Sequence, residues 1–218
     1  MSQPFENSNH TTNLNQSVHS SPTTSIVDDS LLWKSFKSGD ESAFIAIYKV
    51  YFEKLFRYGF QFTKDKELIK DAIQDLFIEL RNKRKNLSDT TSIKLYLYKC
   101  LKRKILNFKE RAINKMMSHQ DLEGYNFEID FSTEHLLIIK QLNEEKIKHL
   151  NQAMVHLTKR QKEAIYYFFY EDLSYEEVME MMELSNIKSA RNLIYKALDI
   201  LKNKIASKLY LLILFLFI

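Results

Sequence analysis

Residues that end helices are scarce in this chain. Its 218 residues contain three glycines and two prolines, and no proline follows Pro22. Glycine and proline are the residues least compatible with a helix interior, so a chain this poor in both can form long helices. Apolar residues also recur at the three- and four-residue spacing of amphipathic helices. The sequence therefore predicts an all-α protein, and its length predicts one or two domains.

The residues that most enzymes and metal sites require follow no functional pattern here. The single cysteine, Cys100, excludes an internal disulfide framework and a cysteine zinc cluster, and it is typical of a reducing compartment. The glycines are too far apart for a phosphate-binding loop, and no Ser or Cys lies in a nucleophile motif. Only His149 and His156 have even a loose metal-ligand spacing, which is more typical of a surface. We therefore expect a non-enzymatic protein with no catalytic residue, no metal, no cofactor and no small-molecule substrate.

Charge is distributed unevenly along the chain, although the formal net charge is only +4. Residues 94–115 contain eight Lys or Arg and one Glu, whereas residues 118–145 contain seven Asp or Glu and one Lys. This alternation predicts a basic working surface followed by an acidic tether. Residues 1–27 are rich in Ser, Thr, Asn and Gln and contain no Lys or Arg. They predict a disordered polar tail rather than a signal peptide.

The first helical domain is predicted over residues 28–115. A helix beginning at Asp40 is expected to bury an aromatic-rich face, made of Phe44, Ile47, Tyr48, Tyr51, Phe52 and Leu55. The helix from about Asp65 to Lys85 has a clear apolar stripe. Opposite that stripe, at i, i+3, i+4 and i+7, lie Asp71, Gln74, Asp75 and Ile78. Such a face suits a docking patch for a basic partner helix, although a solvated face is the commoner explanation.

A helix predicted from about Ser92 to Lys115 carries the basic surface, and the loop 86–92 precedes it. Its outer side is expected to present Tyr96, Lys99, Lys102 and Arg103, with Lys94 and Tyr98 at the margin. Cations interleaved with aromatic rings suit single-stranded nucleic acid, because the charges follow phosphates and the rings stack on bases. This segment therefore predicts a nucleic-acid interface.

Residues 116–133 lose the helical period and predict a flexible acidic linker. After a helix from about Thr133 to His156, the second domain, predicted over residues 134–206, continues with two capping boxes at Thr158–Gln161 and Ser174–Glu177. The capping residues 186–189 mark one more helix start. Because the last two helices are closely joined, they predict a helix-turn-helix. Residues 207–218 form an apolar tail too short to span a bilayer, and partner contact, membrane contact and packing all stay open for it.

The last helix is strongly two-faced. One broad apolar stripe is predicted to face the core. It consists of Ala190, Leu193, Ile194, Ala197, Leu198, Leu201 and Ile205. Outside that stripe, near the helix start, lie Lys188, Arg191, Asn192, Tyr195 and Lys196. A recognition helix presents its base and phosphate contacts at this end. The alternative is an ordinary solvated helical hairpin.

Four pieces of the sequence resemble one family in their order and spacing. They are Gly39–Phe44, Asp71–Phe77, Ser92–Tyr98 and Ser189–Ala197. Together they resemble a bacterial RNA polymerase sigma factor of the sigma-70 family, of the extracytoplasmic-function type and in a Bacteroidetes-like variant. The resemblance covers residues 31–109 (region 2) and residues 136–204 (region 4).

The resemblance implies an alternative sigma factor that recruits core RNA polymerase to promoters and assists melting of the −10 element. Its partners would be core polymerase, through the β and β′ subunits, and promoter DNA. Whether the protein also binds an anti-sigma factor or another recruiting partner is left open by the sequence. The location would be cytoplasmic, and nucleoid-associated when the protein is bound to polymerase. The resemblance assigns the docking on β′ to Asp71, Gln74, Asp75 and Ile78.

The resemblance also assigns two sets of promoter contacts. The −10 element would meet Asn86, Ser88, Asp89, Lys94, Tyr96, Tyr98, Lys99, Lys102 and Arg103. The −35 element would meet Arg160, Lys162, Lys188, Ser189, Arg191, Asn192, Tyr195 and Lys196. Two departures matter: family members often carry Asn where Arg103 stands, and the turn Glu183–Ile187 lacks the usual glycine and is one residue longer. The residues of the last helix that contact the −35 element can therefore differ by one position from those assigned here.

Two other functions fit the same sequence. One is a helix-turn-helix regulator that binds DNA without core polymerase. The other is an adaptor that docks on polymerase without reading a promoter.

Overall fold

The computed structural model describes residues 28–116, 127–129 and 150–204. All regular structure within these ranges is helical, which confirms the all-α prediction. Several predicted segments lie outside the described residues: the two tails, most of the linker 116–133, and most of the helix predicted from Thr133 to His156. None of the described helices is long and apolar enough to cross a membrane.

Four described helices form the N-terminal half. They are α1 (Asp29–Ser38), α2 (Glu41–Gly59), α3 (Lys66–Lys83) and α4 (Ile93–Met116). The first three begin at aspartates, since the carboxylates of Asp28, Asp40 and Asp65 each accept a hydrogen bond from a backbone N–H of the first turn. A single 3-10 turn, Arg84–Asn86, follows α3. These capping interactions place the helix starts close to where the sequence predicts them.

The N-terminal half packs around aromatic rings. Trp33 and Phe36 of α1 are at most 1% exposed, and the Trp33 indole N–H donates to the Ser88 carbonyl over 2.9 Å. The prediction that Tyr48 is a core residue is wrong, because its side chain is 41% exposed. Its ring lies at the edge of the core, 4.9 Å from the Phe77 ring centroid. The helical period places Tyr48 next to the buried face of α2, but no other element covers its side chain fully.

The described C-terminal half consists of residues 150–154, α5 (Lys159–Ile165), α6 (Tyr175–Met181) and α7 (Ile187–Lys204). A π-helical turn, Tyr166–Tyr170, continues α5. Both predicted capping boxes are present, since Thr158 pairs reciprocally with Gln161 and Ser174 with Glu177. The predicted starts of α5 and α6 are therefore confirmed.

A short turn joins α6 to α7. Glu183 in this turn has φ of 51°, the left-handed conformation that glycine adopts in most such turns. The Asn186 side chain then accepts a hydrogen bond from the Ser189 backbone N–H over 2.8 Å at the start of α7. The chain therefore makes this turn without the glycine whose absence is notable in the sequence.

The two halves share one continuous buried core. The Tyr58 hydroxyl of α2 lies 2.8 Å from the Tyr167 hydroxyl of the π-helical turn, and both side chains are fully buried. Phe127, also fully buried, packs between the rings of Phe62 and Tyr166, with centroid distances of 5.3 and 5.5 Å. Phe127 belongs to the segment predicted as a flexible linker. At this residue the prediction is wrong, because the ring seals the junction between the halves.

Candidate nucleic-acid interface

Contacts with α1 hold the start of α4. The Ile93 backbone N–H donates to an Asp29 carboxylate oxygen over 2.8 Å, so a side chain of α1 satisfies an N–H at the beginning of α4. In the preceding loop, Lys37 pairs with Asp89 over 2.6 Å. The hydrogen bond from Lys37 and its charge hold the pKa of Asp89 below its usual range. Asn86, Ser88 and Asp89, predicted to contact the −10 element, are exposed on a loop that α1 fixes in place.

The outer side of α4 is only partly open to solvent. Arg103 is exposed as predicted. Tyr96 is half-buried and packs against Trp33, with 5.0 Å between the ring centroids. Burial, followed by the neighbouring Cys100, raises the pKa of Tyr96 to about 12. Its hydroxyl therefore stays protonated at physiological pH.

Three lysines of α4 form ion pairs with the C-terminal half. Lys94 pairs with Glu171 over 2.9 Å, Lys99 pairs with Glu180 over 2.7 Å, and Lys102 pairs with Glu163 over 3.1 Å. The Lys94 amine also donates to the Glu171 backbone carbonyl. The three lysines that the sequence assigns to nucleic acid are thus in contact with carboxylates of the same chain.

Tyr98 occupies a different position from the one predicted. It is expected at the margin of the outer face but is only 1% exposed. Its ring stacks on the Tyr58 ring at a centroid distance of 4.3 Å, and its hydroxyl donates to Glu171 over 2.8 Å. Burial, together with the Glu171 carboxylate, raises the pKa of Tyr98 far above its ordinary value. The helical period predicts this ring beside the basic residues, but Glu171 of the C-terminal half contacts it.

The predicted docking face of α3 is fully open. Asp71, Gln74 and Asp75 are exposed, and the Ile78 side chain is 50% exposed. Neither aspartate forms an ion pair with another described residue. Glu79 of the same helix differs, because hydrogen bonds from Lys104 and Lys83 lower its pKa to about 2. The face therefore combines unpaired carboxylates with an exposed aliphatic side chain.

The start of α7 presents a second polar surface. Ala190, Ile194, Ala197 and Leu201 are at most 4% exposed, which confirms the predicted core-facing stripe at these positions. Leu193 and Leu198 are partly buried against the same core, and Ile205 lies outside the described residues. The opposite side exposes Lys188, Arg191, Asn192, Tyr195 and Lys196, while Ser189 is partly exposed. These side chains emerge from the first turns of a helix whose other face is anchored. Their position would allow this end of α7 to enter the major groove of a DNA duplex.

Arg191 and Tyr175 contact one another on this surface. The Arg191 guanidinium lies over the Tyr175 ring, 5.0 Å from its centroid, and Tyr175 stacks on Phe168 at 4.6 Å. Arg160 is exposed, but it donates to the Met182 carbonyl at the end of α6 over 3.1 Å. Lys162 is partly exposed. Of the two basic residues predicted on α5, Arg160 thus also supports the turn before α7.

Sequence reasoning missed the acidic residues that cover α4, most clearly Glu163. This side chain is only 2% exposed, an uncommon location for a carboxylate. One signal was available, since five consecutive aromatic residues, 166–170, exceed what one helix face can bury within a small domain. Within the described ranges, no group of His, Cys, Asp and Glu side chains is arranged to hold a metal ion.

Comparisons with known proteins agree on one family. No family model matches the chain. The RNA polymerase sigma factor YlaC of Bacillus subtilis (strain 168) is 21% identical over 162 residues, covering 74% of this chain and 92% of that protein. The ECF RNA polymerase sigma factor SigM of the same organism is 25% identical over 146 residues, covering 66% of this chain and 85% of that protein.

The fold has a solved counterpart. The structure of CnrH in complex with the cytosolic domain of CnrY matches with a TM-score of 0.53 at 15% identity, covering 81% of this chain and 96% of that chain. In both sequence comparisons this chain is thus similar, at low identity, to sigma factors of RNA polymerase, one of them of the extracytoplasmic-function type.

Proposed function

We propose that this protein is an alternative sigma factor, a non-enzymatic subunit that recruits core RNA polymerase to specific promoters and assists their opening. The observation that carries the proposal is the similarity to two sigma factors, which spans 92% and 85% of their lengths. Matches of that extent include both halves of the chain rather than a single DNA-binding unit. The protein would act in the cytoplasm, on the nucleoid when bound to polymerase.

The α3 face is the proposed contact with core polymerase. Its two aspartates, which form no ion pair with a described residue, offer charge to a basic partner, and Ile78 offers apolar area at one end of the same patch. Protein interfaces combine apolar and polar groups in this way. An exposed side chain of this size among charges supports a docking role over a merely solvated face.

Two surfaces are proposed to contact promoter DNA. The polar side of α7 would read the −35 element as duplex, because its exposed Arg, Asn and Lys side chains can donate to base edges and phosphates. The loop 86–92 and α4 would hold the −10 element as single strand, since lysines and tyrosines suit phosphates and unstacked bases. The CnrH structure contains the cytosolic domain of CnrY. We therefore include a regulatory protein among the proposed partners of this chain.

In vitro transcription tests the proposal. Core polymerase would be incubated with a promoter library, with and without this protein, and the transcript start sites would be sequenced. We expect start sites that depend on the protein and share upstream elements at two fixed distances. Binding to DNA fragments without any protein-dependent transcript would favour the regulator that acts without core polymerase. Binding to core polymerase without such transcripts would favour the adaptor.

A further inference from the structure

Two residues of α1, Trp33 and Lys37, contact the loop 86–92, although the resemblance assigns no promoter contact to either. We propose that these two residues, here called the α1 brace, hold this loop beside Tyr96 so that loop and ring together receive an unstacked base of the −10 element. Within the brace, Lys37 is a positioning residue that acts on the promoter through Asp89. The inference rests on the proposed function, because it names residues that act on the proposed −10 contact.

The loop 86–92 depends on contacts from outside itself. Residues 87–92 form no helical turn, and the hydrogen bonds between Thr90 and Ser92 join positions only two apart. The brace reaches the loop from much farther along the chain, since Trp33 is 55 positions from Ser88 and Lys37 is 52 positions from Asp89. A segment with so few contacts of its own opens easily. The contacts from α1 therefore set where this loop lies.

Trp33 contacts both parts of the proposed −10 site. Its indole N–H donates to the Ser88 carbonyl over 2.9 Å, and its ring centroid lies 5.0 Å from that of Tyr96. Because Trp33 is fully buried, displacement of Ser88 would leave a buried donor without its acceptor, which is unfavourable. One indole ring therefore sets the distance between the exposed Ser88 and the half-buried Tyr96.

Lys37 holds the exposed side of the same loop. Its amine donates to an Asp89 carboxylate oxygen over 2.6 Å, and the two side chains are 23% and 70% exposed. An ion pair with this much exposure changes an equilibrium by about twofold to fivefold. Loss of Lys37 would thus raise the population of loop conformations that do not match the unstacked base, although no contact with DNA would be removed.

Four variants of the full-length chain test whether Lys37 acts through Asp89. Lys37→Met keeps the aliphatic stem and removes the charge, whereas Asp89→Asn keeps the shape of the partner and removes the opposite charge. The double variant completes a thermodynamic cycle. Lys34→Met is the matched control, because Lys34 is exposed on the same helix and its charge acts on Asp89 less than that of Lys37 does.

The first readout needs neither polymerase nor DNA. Trp33 is the only tryptophan of the chain, so its indole N–H gives a single resonance in a nitrogen-15 NMR spectrum. The exchange rate of this proton with deuterated solvent increases with the population in which the bond to Ser88 is open. We expect Lys37→Met to speed this exchange about 2- to 5-fold and Lys34→Met to leave it unchanged. Urea titrations should give both variants the same free energy of unfolding, so that loosening of the loop is separated from a loss of stability.

The second readout follows promoter opening with core polymerase. Permanganate footprinting would measure the rate of strand opening, and the affinity of the initial complex for duplex promoter would be measured over a series of salt concentrations. We expect Lys37→Met to slow opening about 2- to 5-fold without a change in duplex affinity. Opening by the double variant should be no slower than by Asp89→Asn, because Lys37 then has no partner to position.

Three results would overturn the inference. They are unchanged indole exchange in Lys37→Met, additive effects of the two substitutions on opening, and weaker duplex binding with a smaller salt dependence, which would mean that Lys37 contacts a phosphate itself. Failure of the proposed function gives a different result. A wild type that yields no protein-dependent transcript refutes the sigma role, whereas normal promoter opening by Lys37→Met beside a transcribing wild type refutes the brace alone.

Discussion

Arg191 and Asn192 are the residues on which sequence readout at the −35 element would depend most. Both are exposed near the start of α7, and the ring of Tyr175 holds the Arg191 guanidinium in place. Each base contact of this type contributes about 1–3 kcal/mol of discrimination. We expect Arg191→Ala/Asn192→Ala to lower promoter-specific transcription about 10-fold or more in vitro while leaving binding to core polymerase unchanged.

Lys202→Ala/Asn203→Ala, at the far end of the same helix, provides the control for this prediction. Both side chains are exposed, and they lie several turns from the proposed readout. Transcription should be close to that of the wild type. Full output from the Arg191/Asn192 variant would instead indicate an adaptor that docks on polymerase without reading the −35 element.

Gly59 is the residue where two opposing effects of one methyl group can be weighed. An added Cβ would lie 2.6 Å from the Ile69 Cγ2 atom and 3.3 Å from the Ile105 Cδ1 atom. Alanine raises helix propensity by about 1 kcal/mol over glycine, whereas overpacking a core costs about 1–3 kcal/mol. We expect overpacking to dominate, so that Gly59→Ala lowers the free energy of unfolding in urea titrations by about 1 kcal/mol.

Glu53→Ala, on an exposed turn of the same helix, is the comparison for Gly59→Ala. It should change the free energy of unfolding by less than about 0.5 kcal/mol, because no buried contact is lost. A gain in stability for Gly59→Ala would mean that α2 does not approach α3 as closely at this residue as the geometry requires.

At the scale of elements, α3 has one face that stabilises the fold and an opposite face that is proposed to bind core polymerase. The buried face, with Ile69, Ala72 and Ile73 fully buried, holds the N-terminal half together. The opposite face contributes exposed carboxylates that have no described ion-pair partner. We expect Asp71→Arg/Asp75→Arg to abolish detectable binding to core polymerase in a pull-down, while the far-ultraviolet circular dichroism and the melting temperature stay near wild type.

The control for the α3 variant reverses the same number of charges elsewhere. Glu53→Arg/Glu110→Arg alters two exposed acids of α2 and α4, so the net charge of the two variants is equal. Core binding by the control should persist. If the α3 variant still supports transcription at wild-type level, α3 does not dock on polymerase, and the regulator that acts without core polymerase gains support.

Local signals predicted the elements better than they predicted their contacts. The boxes at Thr158 and Ser174 fix helix starts through hydrogen bonds between residues three apart, so sequence alone could identify them. The contact between Tyr98 and Glu171 joins residues 73 apart. Helical periodicity states which side of α4 carries Tyr98, but it contains no information on what packs against that side. The aromatic run 166–170 indicates that something covers this region, but it does not name the ion pair between Glu163 and Lys102, because the two partners belong to different halves.

At the scale of the whole molecule, the junction makes the chain one cooperative unit. Buried rings from both halves meet at Phe127, Tyr58 and Tyr167, and no layer of water-exposed residues divides the described core. Residues that share one core unfold together, since loss of either half exposes the apolar surface of the other. Separation of the two halves would therefore cost part of that stability.

Phe127 is the residue with which this coupling can be tested. It is fully buried and lies between Phe62 and Tyr166, so its truncation leaves a cavity at the junction rather than inside either half. Truncation of a buried phenylalanine costs about 3–5 kcal/mol. In differential scanning calorimetry we expect one transition for the wild type and two for Phe127→Ala. Phe36→Ala, which truncates an equally buried ring of α1, should lower the temperature of a single transition without dividing it. One undivided transition in Phe127→Ala would show that the halves are coupled by other contacts than this junction.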